Sequence, residues 1–218
     1  MPRGTVECAL AGEGRLACIA PSSTHRLSIQ FCAPASILFL KATGWTIEGS
    51  LPPGAAKSVF IAAPHTSNWD LPYTLMVAFA LRLNIYWMGK ESIFRPPFRG
   101  IMMWLGGIPV NRAASTNLVA ASIEAIKAAA PPLQLVVPPE ATRSKTRSKT
   151  RTWKTGFYYI AAGAGVPIVM AYMDYANQRS GLGPVFVPSG DIERDMEKIK
   201  AFYAPFKGRN AQQFDAGP

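Results

Sequence analysis

Four short apolar runs punctuate this chain: "SVFIAA" (58–63), "IYWMG" (85–89), "LQLVV" (133–137) and "VPIVMAY" (166–172). Each is too short for an ordinary helix and too apolar for a strand with one face in water, so each predicts a buried strand. "IPV" (108–110) predicts a shorter one between Gly107 and Asn111, and the alternating pattern begins at "GWTIEG" (44–49). The stretches between the runs carry helical spacing. Residues 70–83 read as a helix. Ser115 is placed to cap a helix running to Ala129, with Val119, Ile123 and Ile126 on one face. "GFYYIAAGAG" (156–165) suits a helix stopped by glycines, and Asp191 is placed to cap a last helix with Ile192, Met196, Ile199 and Phe202 turned inward. Strands alternating with helices argue for an α/β layered domain.

At 218 residues the chain suits one domain with a core that needs no staples. With 49% hydrophobic and 17% charged residues it lacks the composition of a disordered chain. Residues 1–30 show no clear periodicity and read as a poorly patterned N-terminal segment, which leaves 31–218 as the domain. The charge is lopsided, 23 Lys+Arg against 13 Asp+Glu, for a net +10. Such a field attracts polyanions, anionic lipid or phosphorylated small molecules. Cys8, Cys18 and Cys32 form no CxxC, and no His/Cys cluster has metal-ligand spacing. The thiols fit a reducing compartment. Glu7 and Glu13 interrupt what would be the apolar region of a signal peptide. No window reaches 18 apolar residues without a charge, so no spanning helix is expected. "LSIQFCAPASILFL" (27–40) and "LPYTLMVAFAL" (71–81) are greasy enough for either core or a surface that dips into a bilayer.

One of the two histidines, His65, lies in "APHTSNWD" (63–70), directly after a predicted buried strand. The carboxyl end of a strand, before a helix, is where α/β folds place their chemistry. Positions five apart sit about 140° around a helix axis, so His65 and Asp70 do not meet in a regular helix. A turn at the helix start, at Ser67 and Asn68, would bring them together. Asp70 would then accept from one ring nitrogen and leave the other free as a base. Without a serine or cysteine nucleophile, and with no GxSxG elbow in the chain, such a pair suits deprotonation of a substrate hydroxyl that itself attacks an acyl carbon. The plainer alternative is that Asp70 caps the helix and His65 fills a surface turn.

Three further blocks follow: "GGIPVNR" (106–112), "PPEATR" (138–143) and "VPIVMAY" (166–172) after "WKTGFYYIAAGAG". In this order and at these separations the blocks resemble the glycerolipid acyltransferases, the lysophosphatidate (1-acylglycerol-3-phosphate) acyltransferase family, over roughly residues 44–188. The resemblance implies a single acyltransferase-like domain with a central mixed β-sheet flanked by helices, a three-layer α/β/α fold. It implies a catalytic base, His65, oriented by Asp70, and a phosphoglycerol acceptor held by Arg112, Glu140 and Arg143, with Lys154 and Gly156 as the family's Lys-x-Gly element. Arginine is the planar, bidentate partner that a phosphate favours. It also implies acyl transfer from acyl-CoA or acyl-carrier protein to a lysophospholipid hydroxyl in phospholipid biosynthesis, with no metal and no bound cofactor. The protein would be cytoplasmic and peripheral on an anionic membrane surface.

Two features depart from the family pattern. Ala141 stands where the family has glycine, which either strains a left-handed backbone or narrows the acceptor site. "RSKTRSKTRTWK" (143–154) is a tandem four-residue repeat that adds Lys145, Arg147, Lys149 and Arg151 beside the expected phosphate site. It reads either as a lipid-attracting loop or as solvated surface. Only Trp153 interleaves the basic residues, so no nucleic acid partner is expected. The rival function is a non-catalytic binder of anionic lipid or polyanions that retains the fold.

Overall fold

The structure is a computed structural model that describes residues 23–110, 118–140 and 153–214. The strands are β1 (Thr46–Glu48), β2 (Lys57–Ala63), β3 (Ile85–Lys90), β4 (Gly107–Val110), β5 (Leu133–Val137), β6 (Ile168–Asp174) and β7 (Arg179–Phe186). They form one seven-stranded sheet in the order β1-β7-β6-β2-β5-β3-β4. From β6 across to β4 the neighbours pair parallel; β7 runs antiparallel to β6, and β1 runs parallel to β7. The helices are α1 (Ser23–Ala42), α2 (Asp70–Ala80), α3 (Arg99–Trp104), α4 (Leu118–Ala128), α5 (Gly156–Ala164) and α6 (Ile192–Tyr203).

Alternation of side chains along the central strands sorts the core into two layers. Val59, Ile61, Leu133, Leu135, Ile168 and Met170 pack with Ile126 of α4, Phe157 of α5 and Ile199 of α6. Phe60, Ile85, Val136 and Val169 point the other way, onto Ile29 of α1 and Leu75 and Phe79 of α2. Both faces are covered, which is why these strands read as unbroken apolar runs. The result is the three-layer α/β/α fold with a mixed sheet.

Gly165 ends α5 with φ +67, the left-handed conformation that glycine adopts at little cost. The helix expected over 70–83 ends at Ala80, since Arg82 takes φ 55 and breaks the spiral before Leu83. Ser115 lies outside the described residues. The antiparallel strand β7 is absent from the sequence reading, because Gly181, Gly183 and Pro184 suppress a strand pattern. Gly181 serves packing there: a Cβ would stand 2.0 Å from the Glu48 carbonyl oxygen of β1.

Helix α1 starts at Ser23, inside the stretch that lacks periodicity in the sequence, and carries Pro34 within it. Ile29, Ala33 and Leu40 are buried, while Phe31 and Leu38 are 77% and 70% exposed. The greasy 27–40 stretch is thus core on one side and apolar surface on the other. Its counterpart on α2 is core: Leu75, Val77, Ala78 and Phe79 are buried. Among the described residues, no helix is long and apolar enough to cross a membrane.

Asp191 caps α6 by accepting from the Arg194 N–H at 3.2 Å. In the first turn, the fully buried Asp195 accepts from the Tyr158 hydroxyl at 2.9 Å and the Ser189 N–H at 2.7 Å. Burial pushes its carboxyl up, but the hydrogen bonds from Ser189 and Tyr158 outweigh burial and hold it below the ordinary carboxylate value. A lowered folded-state value means that the network's stabilisation is complete above the unfolded value of about 3.9 and is lost as pH falls through the folded one. The melting temperature should therefore drop on acidification below about pH 4. In Asp195→Asn that part of the slope should flatten, as read by circular dichroism. Equal slopes in parent and variant would assign the acid sensitivity to other carboxylates.

Candidate active site

The chain leaves β2 at Ala63 and enters α2 at Asp70, so His65 sits at the carboxyl end of a central strand that has β5 on one side and β6 on the other. Asp70 reaches back over this loop. Its Oδ2 accepts from the backbone N–H groups of Thr66 and Ser67, both at 2.7 Å, and lies 3.2 Å from His65 Nδ1. Ser67 Oγ accepts from the Trp69 N–H at 3.2 Å and closes the turn. The five-residue spacing, unworkable in a helix, works here because residues 65–69 precede the helix. Asp70 is 3% exposed, whereas the His65 side chain is 24% exposed. Nδ1 is thus the ring nitrogen that faces the carboxylate, and Nε2 is the one left for another partner. No serine or cysteine of the described residues hydrogen-bonds to the His65 ring.

Glu140, just past β5, is buried, and its Oε1 accepts from the His65 backbone N–H at 2.9 Å. The sequence places Glu140 at the acceptor; the structure gives it a further task, holding the histidine's own backbone. Lys154 is exposed at the entry to α5, where its N–H donates to the Pro139 carbonyl at 2.7 Å. That bond ties the Lys-x-Gly element to the proline that precedes Glu140. Arg112, Arg143, Ala141 and the repeat up to Thr152 lie outside the described residues.

Backbone N–H groups at the helix start would be natural donors for an oxyanion. Here those of His65, Thr66, Ser67 and Trp69 already donate to Glu140, Asp70 and Ser67.

Three parts of the site escaped the sequence. Tyr175, one residue after β6, donates its hydroxyl to Asp70 Oδ1 at 2.9 Å. Asn210 donates to Thr66 twice, from its N–H to Oγ1 at 3.2 Å and from Nδ2 to the carbonyl at 2.9 Å, and Arg209 lies over the Trp69 ring. Contacts across 144 residues leave no local pattern. The third is a separate cavity on the same sheet edge, at the ends of β3 and β4, where Lys90, Arg95 and Arg99 stand with Glu91. Its one signal was Lys90, a cation placed directly after an apolar strand.

A narrow cleft is lined at one part by His65 and Asp70. It runs between α2 and the sheet past Phe60, Val77 and Ala78 to Leu83, Ile85 and Val136, and its walls are mainly apolar.

Residues 45–174, which include His65, Asp70 and Glu140, match the acyltransferase family. The chain belongs to that family. Among its curated acyltransferase relatives are the 1-acyl-sn-glycerol-3-phosphate acyltransferases of Salmonella typhimurium and Salmonella typhi, each 32% identical over 117 residues. That alignment takes in 52% of this chain and 45% of theirs, so the chain spans under half the length of the curated relatives it matches. The crystal structure of the 1-acyl-sn-glycerophosphate (LPA) acyltransferase PlsC from Thermotoga maritima superposes with a TM-score of 0.58 at 14% identity, covering 82% of this chain and 78% of that one. At that identity the likeness is one of fold.

Proposed function

We propose that this acyltransferase-family protein moves a fatty acyl group from acyl-CoA or acyl-carrier protein to a hydroxyl of a lysophosphatidate-like acceptor. One observation carries the reading: an imidazole faced by a buried carboxylate lines an apolar cleft, and no serine or cysteine of the described residues hydrogen-bonds to its ring. His65 Nε2 takes the proton from the acceptor hydroxyl. That oxygen bonds to the thioester carbonyl carbon, the C–S bond breaks, and the thiolate leaves with the proton from the imidazolium. Asp70 stabilises the imidazolium in between. The apolar cleft suits the acyl chain of the thioester. Arg112, Arg143 and Lys154 are the proposed holders of the acceptor phosphate, and the cavity of Lys90, Arg95 and Arg99 adds cations on the same edge. Glu140 serves the acceptor site by holding the loop on which His65 stands. The mechanism calls for no metal and no bound cofactor.

Both substrates are amphiphiles, and the surface fits a peripheral seat on the cytoplasmic face of an anionic membrane. Phe31 and Leu38 of α1 and Phe98, Ile101 and Trp104 of the adjacent α3 and its N-cap are exposed. Arg95 and Arg99 flank them. The basic repeat would add attraction of about 1 kcal/mol per residue near such a surface.

The test incubates the protein with one acyl-CoA and a panel of lysophospholipid acceptors and follows free thiol and products by mass spectrometry. Thiol release that depends on the acceptor, with a matching diacyl product, is expected. Vesicle binding without any acyl product would instead favour the non-catalytic lipid binder. Arg143→Ala should raise the acceptor KM by about 10–100-fold, the worth of one charge-assisted hydrogen bond, and leave the thioester KM near parental. A rise in the thioester KM alone would place Arg143 on the donor's phosphates.

A further inference from the structure

Among the described residues Asp70 accepts three hydrogen bonds, and two of them, from Thr66 and Ser67, belong to the turn it closes. The third comes from Tyr175, whose hydroxyl meets Oδ1, whereas His65 faces Oδ2. Tyr175 stands one residue beyond the stretch that matches the family. Its ring is held on two sides: Trp45 meets it edge-on with centroids 5.1 Å apart, and Tyr73 of α2 with centroids 6.0 Å apart. Its N–H donates to the Lys207 carbonyl at 2.9 Å, which locks the backbone as well. A side chain fixed at ring, backbone and hydroxyl has little freedom to do anything but donate to that carboxylate.

We propose that Tyr175 is a positioning residue for the catalytic pair: it acts on His65 through Asp70, completing a Tyr–Asp–His chain that fixes the plane of the carboxylate and draws off part of its charge. This rests on the reading of His65 as the base. Burial and the neighbouring Asp70 charge push the Tyr175 phenol well above its ordinary value, so it remains a donor at any working pH. The other titratable groups facing the pair are Tyr73 from α2, Glu140 from the end of β5, Tyr172 from β6 and Arg209 from the C-terminal segment.

Removing the hydroxyl leaves Oδ2 pinned by Thr66 and Ser67, so the carboxylate stays beside the imidazole. It now presents its charge undiluted, and the imidazolium gains stability. In Tyr175→Phe the NMR titration curve of the His65 ring should therefore move to higher pH, by about half a unit. With only two histidines in the chain, a His25→Gln variant assigns the signals. The acidic limb of kcat/KM should move the same way, costing about threefold in rate at a pH well below the limb. Both KM values should stay within about twofold of parental. Trp45→Phe is the packing control: it loosens the ring's surroundings without touching the hydroxyl, and should lower the melting temperature while leaving the curve in place. A Tyr175→Phe curve that stays put or moves down overturns the proposal, as does an equal upward shift in Trp45→Phe. The NMR reading needs no turnover. It decides the Tyr175 question even if acyl transfer fails, and a silent assay beside a shifted curve would indict the function alone.

Discussion

His65→Ala should lose acyl transfer by about 10²–10⁴-fold in kcat, the usual worth of a positioned general base. The variant is a clean one on structural grounds. The hydrogen bond that Glu140 accepts comes from the backbone N–H of residue 65, which alanine keeps. The turn is closed by Asp70 on Thr66 and Ser67, not by the imidazole. A side chain already 24% exposed leaves no sealed void when it is cut back. Melting temperature and circular dichroism should therefore match the parent, while thiol release from acyl-CoA nearly stops. Full activity in a folded His65→Ala protein would remove the histidine from the mechanism.

Asp70→Asn should be nearly as costly and for a different reason. An amide oxygen in the place of Oδ2 can still accept from Thr66 and Ser67, and the amide NH₂ then faces the Tyr175 oxygen, which can accept. The turn survives, but the charge that steadies the imidazolium is gone. A loss of about 10²–10⁴-fold in kcat is expected, with the acceptor KM little changed. The opposite amide orientation would offer His65 a donor and favour the wrong tautomer, with the same outcome for the rate. Near-parental turnover would mean that Asp70 is only the clasp of the loop.

That loop shows what the sequence could and could not disclose. His65 and Asp70 were legible because the apolar run before them marked a strand end and the Ser-Asn pair marked a turn. Alternating apolar runs disclosed the central strands for the same reason that both faces of the sheet are buried. The signal failed where chemistry serves packing across the fold. Gly181 weakens the strand pattern of β7 yet fits against Glu48. Pro34 argues against a helix that α2 nevertheless supports from one side. The hydrogen bond that Glu140 accepts from the His65 backbone spans 75 residues, beyond any periodicity. Tyr175, Arg209 and Asn210 reach the site from two other segments, and no motif spacing connects them to it.

The clasp of Asn210 on Thr66 sets an order on the birth of the molecule. Residues 65–70 leave the ribosome well before the residue that braces them, which lies 144 positions further along the chain. Chains fold from the N-terminal side during synthesis, and contacts of long sequence separation close late. A nascent chain stalled before Asn210 would hold the β2 strand and the start of α2 with Thr66 unclasped. The loop that carries His65 is thus synthesised well before the residue that clasps it, and its brace closes only after 144 further residues have been added.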